Sequence, residues 1–495
     1  MIKKFKWLLL VSLSFVACNN NDDEDSATAE IPITPGSASF AKYVALGDSF
    51  AAGYSDGALF KASQETSYVN ILAQQFIPAG GTAITIPLMS DNVGGLLLGG
   101  NVIASSRMAI LGFTAGSPNI GSIPGVPTTE VTNHLTGSFN NLGIPGAKSY
   151  HLIASGYGNV AGVASGKANP YYARFATSGT TTVLADALVQ SPSFFSLFIG
   201  GNDVLSFATS GGVGVNQTGN LDPSTYGSND ITDPNVFANV YTGLVTNLTA
   251  KGAKGVVANL PYVTSLPYFT TVPYNPVPLD AAKAVQLNAG YAQYNGGLQA
   301  MVTNKLLSAE EATRRTIKFA AGNNAVVIVD SYLTNLSAYG VPSYRQVTKE
   351  DLVVLTAKNF IGTLVGGDQT KINGVSVPLA DQWVLSKDEV KEVAAATDAY
   401  NVTIDAIAKS KGLAFVDTKA ALTQLSLTGV RFGNFQMTAS YVTGGAFSLD
   451  GVHPTPRGYA YIANLFVNAI NTKYGATLRT VDLSQYQSLF PAVIK

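Results

Sequence analysis

The sequence predicts an α/β protein of three layers, α/β/α, built around a central parallel sheet and carrying large insertions. Two patterns carry that expectation: short runs that are apolar throughout, as strands covered on both faces are, and helical patterns beside most of them. Lys42–Leu46 (KYVAL) is the first strand and runs directly into the turn Gly47-Asp48-Ser49. Residues 65–77 follow with Tyr68, Ile71, Leu72 and Phe76 at helical spacing, which predicts a helix packed on that strand. Residues 82–136 are Gly-rich with short apolar pieces, longer than a compact domain leaves as one loop, and are expected to be an insertion with short strands. Further strands are expected at Phe139–Leu142, Phe194–Ile199, Gly255–Leu260, Ala325–Asp330 and Leu413–Asp417. A second insertion is expected within 204–448. Ser386 and Glu389 form a capping-box pattern ahead of a helix reaching Ser410, and Gly412 suits its end. Thr455 and Pro456 open another helix, to about Lys473. No internal repeat is visible.

Composition narrows the function. Only 12% of the 495 residues are charged, about half the usual ~25% share. Thirty basic residues against 31 acidic ones give no field that would draw in nucleic acid. A β-barrel of the outer membrane, suggested by low charge and abundant Gly and Tyr, is excluded by the absence of alternating strands of about ten residues.

The N-terminus reads as an export signal. Lys3, Lys4 and Lys6 precede an apolar run from Trp7 to Ala17, which is too short for a membrane span of about 20 residues. The only cysteine, Cys18, follows small Ala17 and resembles the lipidated residue of the bacterial lipoprotein lipobox. That resemblance implies a signal peptide over 1–17, a lipid anchor on Cys18 and an acidic tether over 18–38; a free buried thiol is the alternative. The cluster Asp22, Asp23, Glu24 and Asp25 is either a solvated linker or similar to the surface-export signal of some Bacteroidota lipoproteins. The expected location is the cell envelope, anchored to the outer membrane and open to display on the cell surface.

The chain has three histidines, His134, His151 and His453, so the search for a general base is short. His453 lies three residues after Asp450 on a loop ahead of the Pro456 helix, where a carboxylate can orient one ring nitrogen and leave the other to a cleft. Ser49, at the carboxyl end of the first strand, is the candidate nucleophile, since parallel sheets place their sites at such ends. Gly146, after the second strand, offers a backbone N–H, and Asn202, directly after FFSLFI, offers an amide. Acyl transfer needs such donors because its tetrahedral intermediate carries an oxyanion. Asp203 is expected to brace the Asn202 turn, and His134 and His151 to be structural.

These four blocks, GDS, the glycine block, GGND and DGVHP, occur in the order of the GDSL lipase/esterase (SGNH hydrolase) family, which the chain resembles. The resemblance implies the family's flavodoxin-like fold and a serine ester hydrolase needing no metal or cofactor. Ser49, Asp450 and His453 would be its catalytic triad, and Ser49, Gly146 and Asn202 its oxyanion hole. Phe50 stands where the family usually has Leu, and Pro145 precedes the glycine. The expected partner is an ester, either a lipid or acyl ester or an O-acetylated polysaccharide; a non-catalytic surface binding lipoprotein is the competing class. The Pro-spaced aromatics Tyr262, Tyr268, Phe269 and Tyr274 are candidates for a substrate wall or for a packed loop.

Overall fold

The computed structural model describes residues 32–494. Cys18, the signal peptide and residues 18–31 of the acidic tether lie outside the described residues. The chain builds, in order, β1 (Tyr43–Gly47), α1 (Ser49–Ala52), α2 (Tyr68–Phe76), β2 (Asn141–Gly143), α3 (Val183–Leu188), β3 (Phe194–Phe198) and α4 (Asn202–Thr209). There follow α5 (Pro234–Thr249), β4 (Lys254–Ala258), α6 (Lys387–Lys411), β5 (Ala414–Val416), α7 (Thr418–Leu427) and α8 (Pro456–Tyr474). The five strands form one parallel sheet in the order β5-β4-β3-β1-β2. Helices α2 and α8 pack together on one face, and α3, α5 and α6 cover the other. Every residue of β1 and β3 is buried, which is why their sequences are continuously apolar rather than alternating.

This strand order has its reversal at β1, where the chain first steps outward to β2 and then back across to β3. Clefts at the carboxyl ends of the strands flanking such a reversal are where open α/β sheets bind ligands. The register brings those ends level: Gly47 of β1 lies beside Gly143 of β2 and Phe198 of β3. A Cβ at Gly47 would lie 2.6 Å from the Phe198 carbonyl oxygen, and one at Gly143 would lie 2.3 Å from the Ala52 amide nitrogen. Both positions therefore need glycine for the strands and α1 to meet.

The helix boundaries follow their caps. Ser67 caps α2 by accepting the Asn70 N–H, Ser386 and Glu389 close the expected capping box on α6, and Gly412 ends it in the left-handed conformation at φ 64°. Thr455 caps α8 ahead of Pro456.

The excess length divides into two blocks. Residues 82–136 hold two antiparallel hairpins, Leu96–Leu98 with Asn101–Ala104 and Met108–Thr114 with Ser117–Ser122. Within 204–448, α5, β4, α6, β5 and α7 belong to the sheet layers; outside them a small hairpin, Val430–Phe432 with Phe435–Met437, follows α7, and the longest stretch of added material lies between β4 and α6. It includes a long helix, Ala281–Thr303, and small two-stranded sheets. Here the sequence expectation needs correction: Val327–Val329, from the apolar run Ala325–Asp330, pairs antiparallel with Tyr344–Gln346 and not with the central sheet. Apolarity reports burial and not sheet membership: Val327 and Ile328 are buried in the main core, while Val329 is exposed. Buried Arg345 ties this block together, donating to Asp330 at 2.5 Å and to both carboxylate oxygens of Asp351 at 2.8 and 2.6 Å. Asp351 also accepts the Lys387 N–H, joining the insertion to the start of α6.

Candidate active site

Ser49 opens α1 immediately beyond β1, and its Oγ lies 2.8 Å from His453 Nε2. His453 Nδ1 lies 2.7 Å from Asp450 Oδ2. The three residues, from opposite ends of the chain, thus form one hydrogen-bonded relay. Asp450 is further held by the N–H groups of Gly57, Val452 and His453 and by the Ser448 hydroxyl, at 2.8 to 3.1 Å. Burial works against its charge, but the imidazole and the N–H donors of His453 and Val452 outweigh it and hold the carboxyl below its ordinary pKa. The imidazole is packed between rings, with Tyr54 at 4.6 Å and Phe50 at 5.6 Å between centroids.

Sequence reasoning missed the segment that grips this loop. Ser55 donates to the Pro454 carbonyl, the Asp56 N–H donates to Ser448 Oγ, and Asp56 Oδ1 accepts the Leu449 N–H, all at 2.9 to 3.0 Å. Asp56 takes φ 52°, the left-handed conformation that Asp tolerates in tight turns. Ser55-Asp56-Gly57 signals only a turn in sequence, because its partners lie some 390 residues away.

The candidate oxyanion donors stand on the neighbouring strand ends. Asn202 begins α4 after β3, and one N–H of its amide donates to the Ala147 carbonyl at 3.0 Å. An amide carries two such donors, so the second is left for a ligand. Asp203 does more than brace its own turn. Fully buried, it accepts the Ser149 N–H at 2.8 Å and the Ser149 hydroxyl at 2.7 Å, bolting α4 to the loop after β2. That loop is anchored to β1 by the Ile144 N–H on the Gly47 carbonyl, and Gly146 lies exposed at its tip with φ 80°. Among the described residues the Gly146 N–H has no protein acceptor. His151 and His134 face structural partners. His151 Nδ1 accepts the Lys148 N–H, and burial with the nearby Lys148 charge pushes its pKa down to about 4. A nitrogen of His134 meets the Ala176 carbonyl at 2.9 Å.

A narrow, almost wholly apolar cavity of about 90 Å³ opens beside Ser49 and Asn202. The segment after β4 does reach it, but through Pro261, Val263 and Leu266 rather than the four aromatic residues. Tyr262 turns outward to Asp398 and Lys419, Tyr268 bonds the Thr209 carbonyl, Phe269 is 1% exposed in the core, and Tyr274 is 39% exposed at the surface. The prolines stiffen the segment, yet short helical turns at Val263–Ser265 and Pro267–Thr270 rotate the rings away from the cavity. Phe50 does line it. Among the described residues no helix is long and apolar enough to cross a membrane.

A flavodoxin-ordered sheet with a serine, a histidine and a carboxylate linked at its switch point defines the class of α/β hydrolases with a serine centre. Residues 43–466, spanning Ser49 to His453, match the GDSL-like Lipase/Acylhydrolase family; the chain belongs to it and is a carboxylic ester hydrolase. The chain has no match among the curated proteins. Similar solved structures include LAE5, an alpha/beta hydrolase enzyme from the metagenome of Lake Arreo, Spain, at 10% identity over 88% of this chain and 96% of that one, TM-score 0.31. Another is a catalytic mutant of Axe2, an acetylxylan esterase from Geobacillus stearothermophilus, at 11% identity over 89% and 99%, TM-score 0.31.

Proposed function

We propose that the protein is a lipid-anchored, extracytoplasmic serine esterase that cleaves esters with apolar acyl groups through an acyl-enzyme. The observation that carries this reading is the Ser49–His453–Asp450 relay at the mouth of an apolar cavity. Ser49 Oγ attacks the ester carbonyl while His453 Nε2 takes its proton, and Asp450 stabilises the resulting imidazolium through Nδ1–H. The N–H groups of Ser49 and Gly146 and the free amide N–H of Asn202 receive the oxyanion. Collapse of the intermediate expels the alcohol, which takes the proton from His453. Water then adds to the acyl-enzyme with His453 again as base, releasing the acid and restoring Ser49.

Removal of an O-acetyl group from a polysaccharide is the second reading, and the small size of the cavity favours it. A panel of nitrophenyl esters and acetylated sugars separates the two. Hydrolysis by wild type should fall by orders of magnitude in Ser49→Ala; equal rates would sink the assignment. The anchor rests on the sequence pattern around Cys18. Cys18→Ser should release the protein from membranes, and unchanged retention would refute lipidation.

A further inference from the structure

The cavity beside Ser49 ends against a wall whose other side is open. Thr418, Ala421, Leu422 and Leu425 of α7 line the cavity, a spacing of three, four and seven residues that puts them on one helical face. The last turn of the same helix, Leu425–Leu427, borders a wide surface groove of about 900 Å³ that extends to the hairpin Met108–Thr114/Ser117–Ser122. Leu425 alone lines both. It is 6% exposed, and its carbonyl is held by the Ala439 N–H, so the wall is fixed in place. Across from it the segment after β4 makes the same transition, Leu266 facing the cavity and Ser265 the groove.

The direction of the substrate follows from the proton path. His453 must protonate the leaving oxygen, so the alcohol lies on the His453 side of the carbonyl. Ser49, Gly201 and Asn202 line the cavity together with Pro454, but the His453 ring, which must face the leaving oxygen, does not, and on that ground the cavity is assigned to the acyl chain. At about 90 Å³ it is smaller than the ~150 Å³ apolar cavity that accepts a benzene ring. It therefore takes an acyl group of a few carbons. Beyond the wall the groove presents apolar surface, with Phe113 70% exposed and Leu427 78% exposed at its rim.

We propose that Leu425 sets the acyl-length limit of this esterase by closing the Ser49 cavity against the outer groove. The inference rests on the serine-esterase reading above. Wild type, Leu425→Ala, Leu425→Val and Leu425→Phe are compared on nitrophenyl acetate, butyrate, octanoate and laurate, and kcat/KM for each ester is divided by that for acetate. This ratio is independent of how much of a variant is correctly folded. Wild type is expected to fall about tenfold or more between butyrate and octanoate, the scale of discrimination that a closed apolar pocket achieves. Leu425→Ala should raise the octanoate and laurate ratios about tenfold, Leu425→Val less, and Leu425→Phe should lower the butyrate ratio. A wild type that takes laurate as readily as acetate overturns the proposal, as do unchanged ratios in Leu425→Ala and Leu425→Val with acetate still cleaved. Serine-independent turnover, or none, instead overturns the reading beneath it, and the inference falls with that.

Discussion

His453 meets Asp450 twice: Nδ1 of its ring lies 2.7 Å from Oδ2, and its own backbone N–H donates to Oδ1 at 2.8 Å. The three-residue spacing thus closes a tight loop in which the carboxylate orients both the ring and the main chain that carries it. All five groups facing this carboxylate are donors, so an amide cannot replace it without placing N–H against N–H. Asp450→Asn should lower kcat about 10,000-fold with little change in KM, because the amide favours the wrong imidazole tautomer. Steady-state kinetics on a short-chain ester checks this; a loss carried by KM would contradict it.

Asn202 should behave as a group used in the transition state. Asn202→Ala is expected to reduce kcat by about 100- to 1,000-fold while leaving KM nearly unchanged. Because the lost Ala147 contact also loosens the loop after β2, a thermal melt of the variant should accompany the kinetics. A folded variant with wild-type kcat would remove Asn202 from the oxyanion site.

Asp48 makes stability fall as pH rises. Burial lifts its carboxyl from 3.8 to about 7, so between those values the folded protein holds a proton that the unfolded chain has released. The penalty grows by at most about 1.4 kcal/mol per pH unit across that window and is complete above it. Asp48→Asn keeps an acceptor for the Phe50 N–H that Asp48 caps, now accepted at 3.0 Å, and removes the titration. The variant should melt higher than wild type at mildly alkaline pH, with the gain shrinking towards acid. Parallel melting curves across the pH range would show that Asp48 is not the group responsible.

Arg345→Ala should destabilise the insertion by about 3–5 kcal/mol, because it leaves Asp330 and Asp351 buried without their counter-charge. Denaturant unfolding, or limited proteolysis between β4 and α6, reads this out. Arg345→Met, which fills the space without a charge, should not rescue it, since the two carboxylates remain.

Much of the site was legible because its chemistry is local. The turn after KYVAL, the Asp450–His453 spacing, the Asn after FFSLFI and the caps of α6 and α8 all follow from a few neighbouring residues. Their backbone geometry is set by short-range forces, and their residue types by the reaction. The membership of Ala325–Asp330 was not legible, because apolarity reports burial and not which strand lies alongside. Nor was the orientation of Tyr262, Tyr268, Phe269 and Tyr274, since two short helical turns decide which side of the segment meets the cavity.

The amino-acid sequence by itself determined the strand-end turn at Ser49, the Asp450–His453 spacing and the candidate donors, since each is written in a few neighbouring residues, whereas the 404 positions between Ser49 and His453 are closed only by the fold. Only the tertiary structure decided how the catalytic loop is gripped by Ser55, Asp56 and Gly57, how Asp203 reaches Ser149, and that α7 lays Leu425 between cavity and groove. Those relationships join residues tens to hundreds of positions apart. They exist only once the sheet has closed and the hydrogen-bonding groups of distant segments have been buried together.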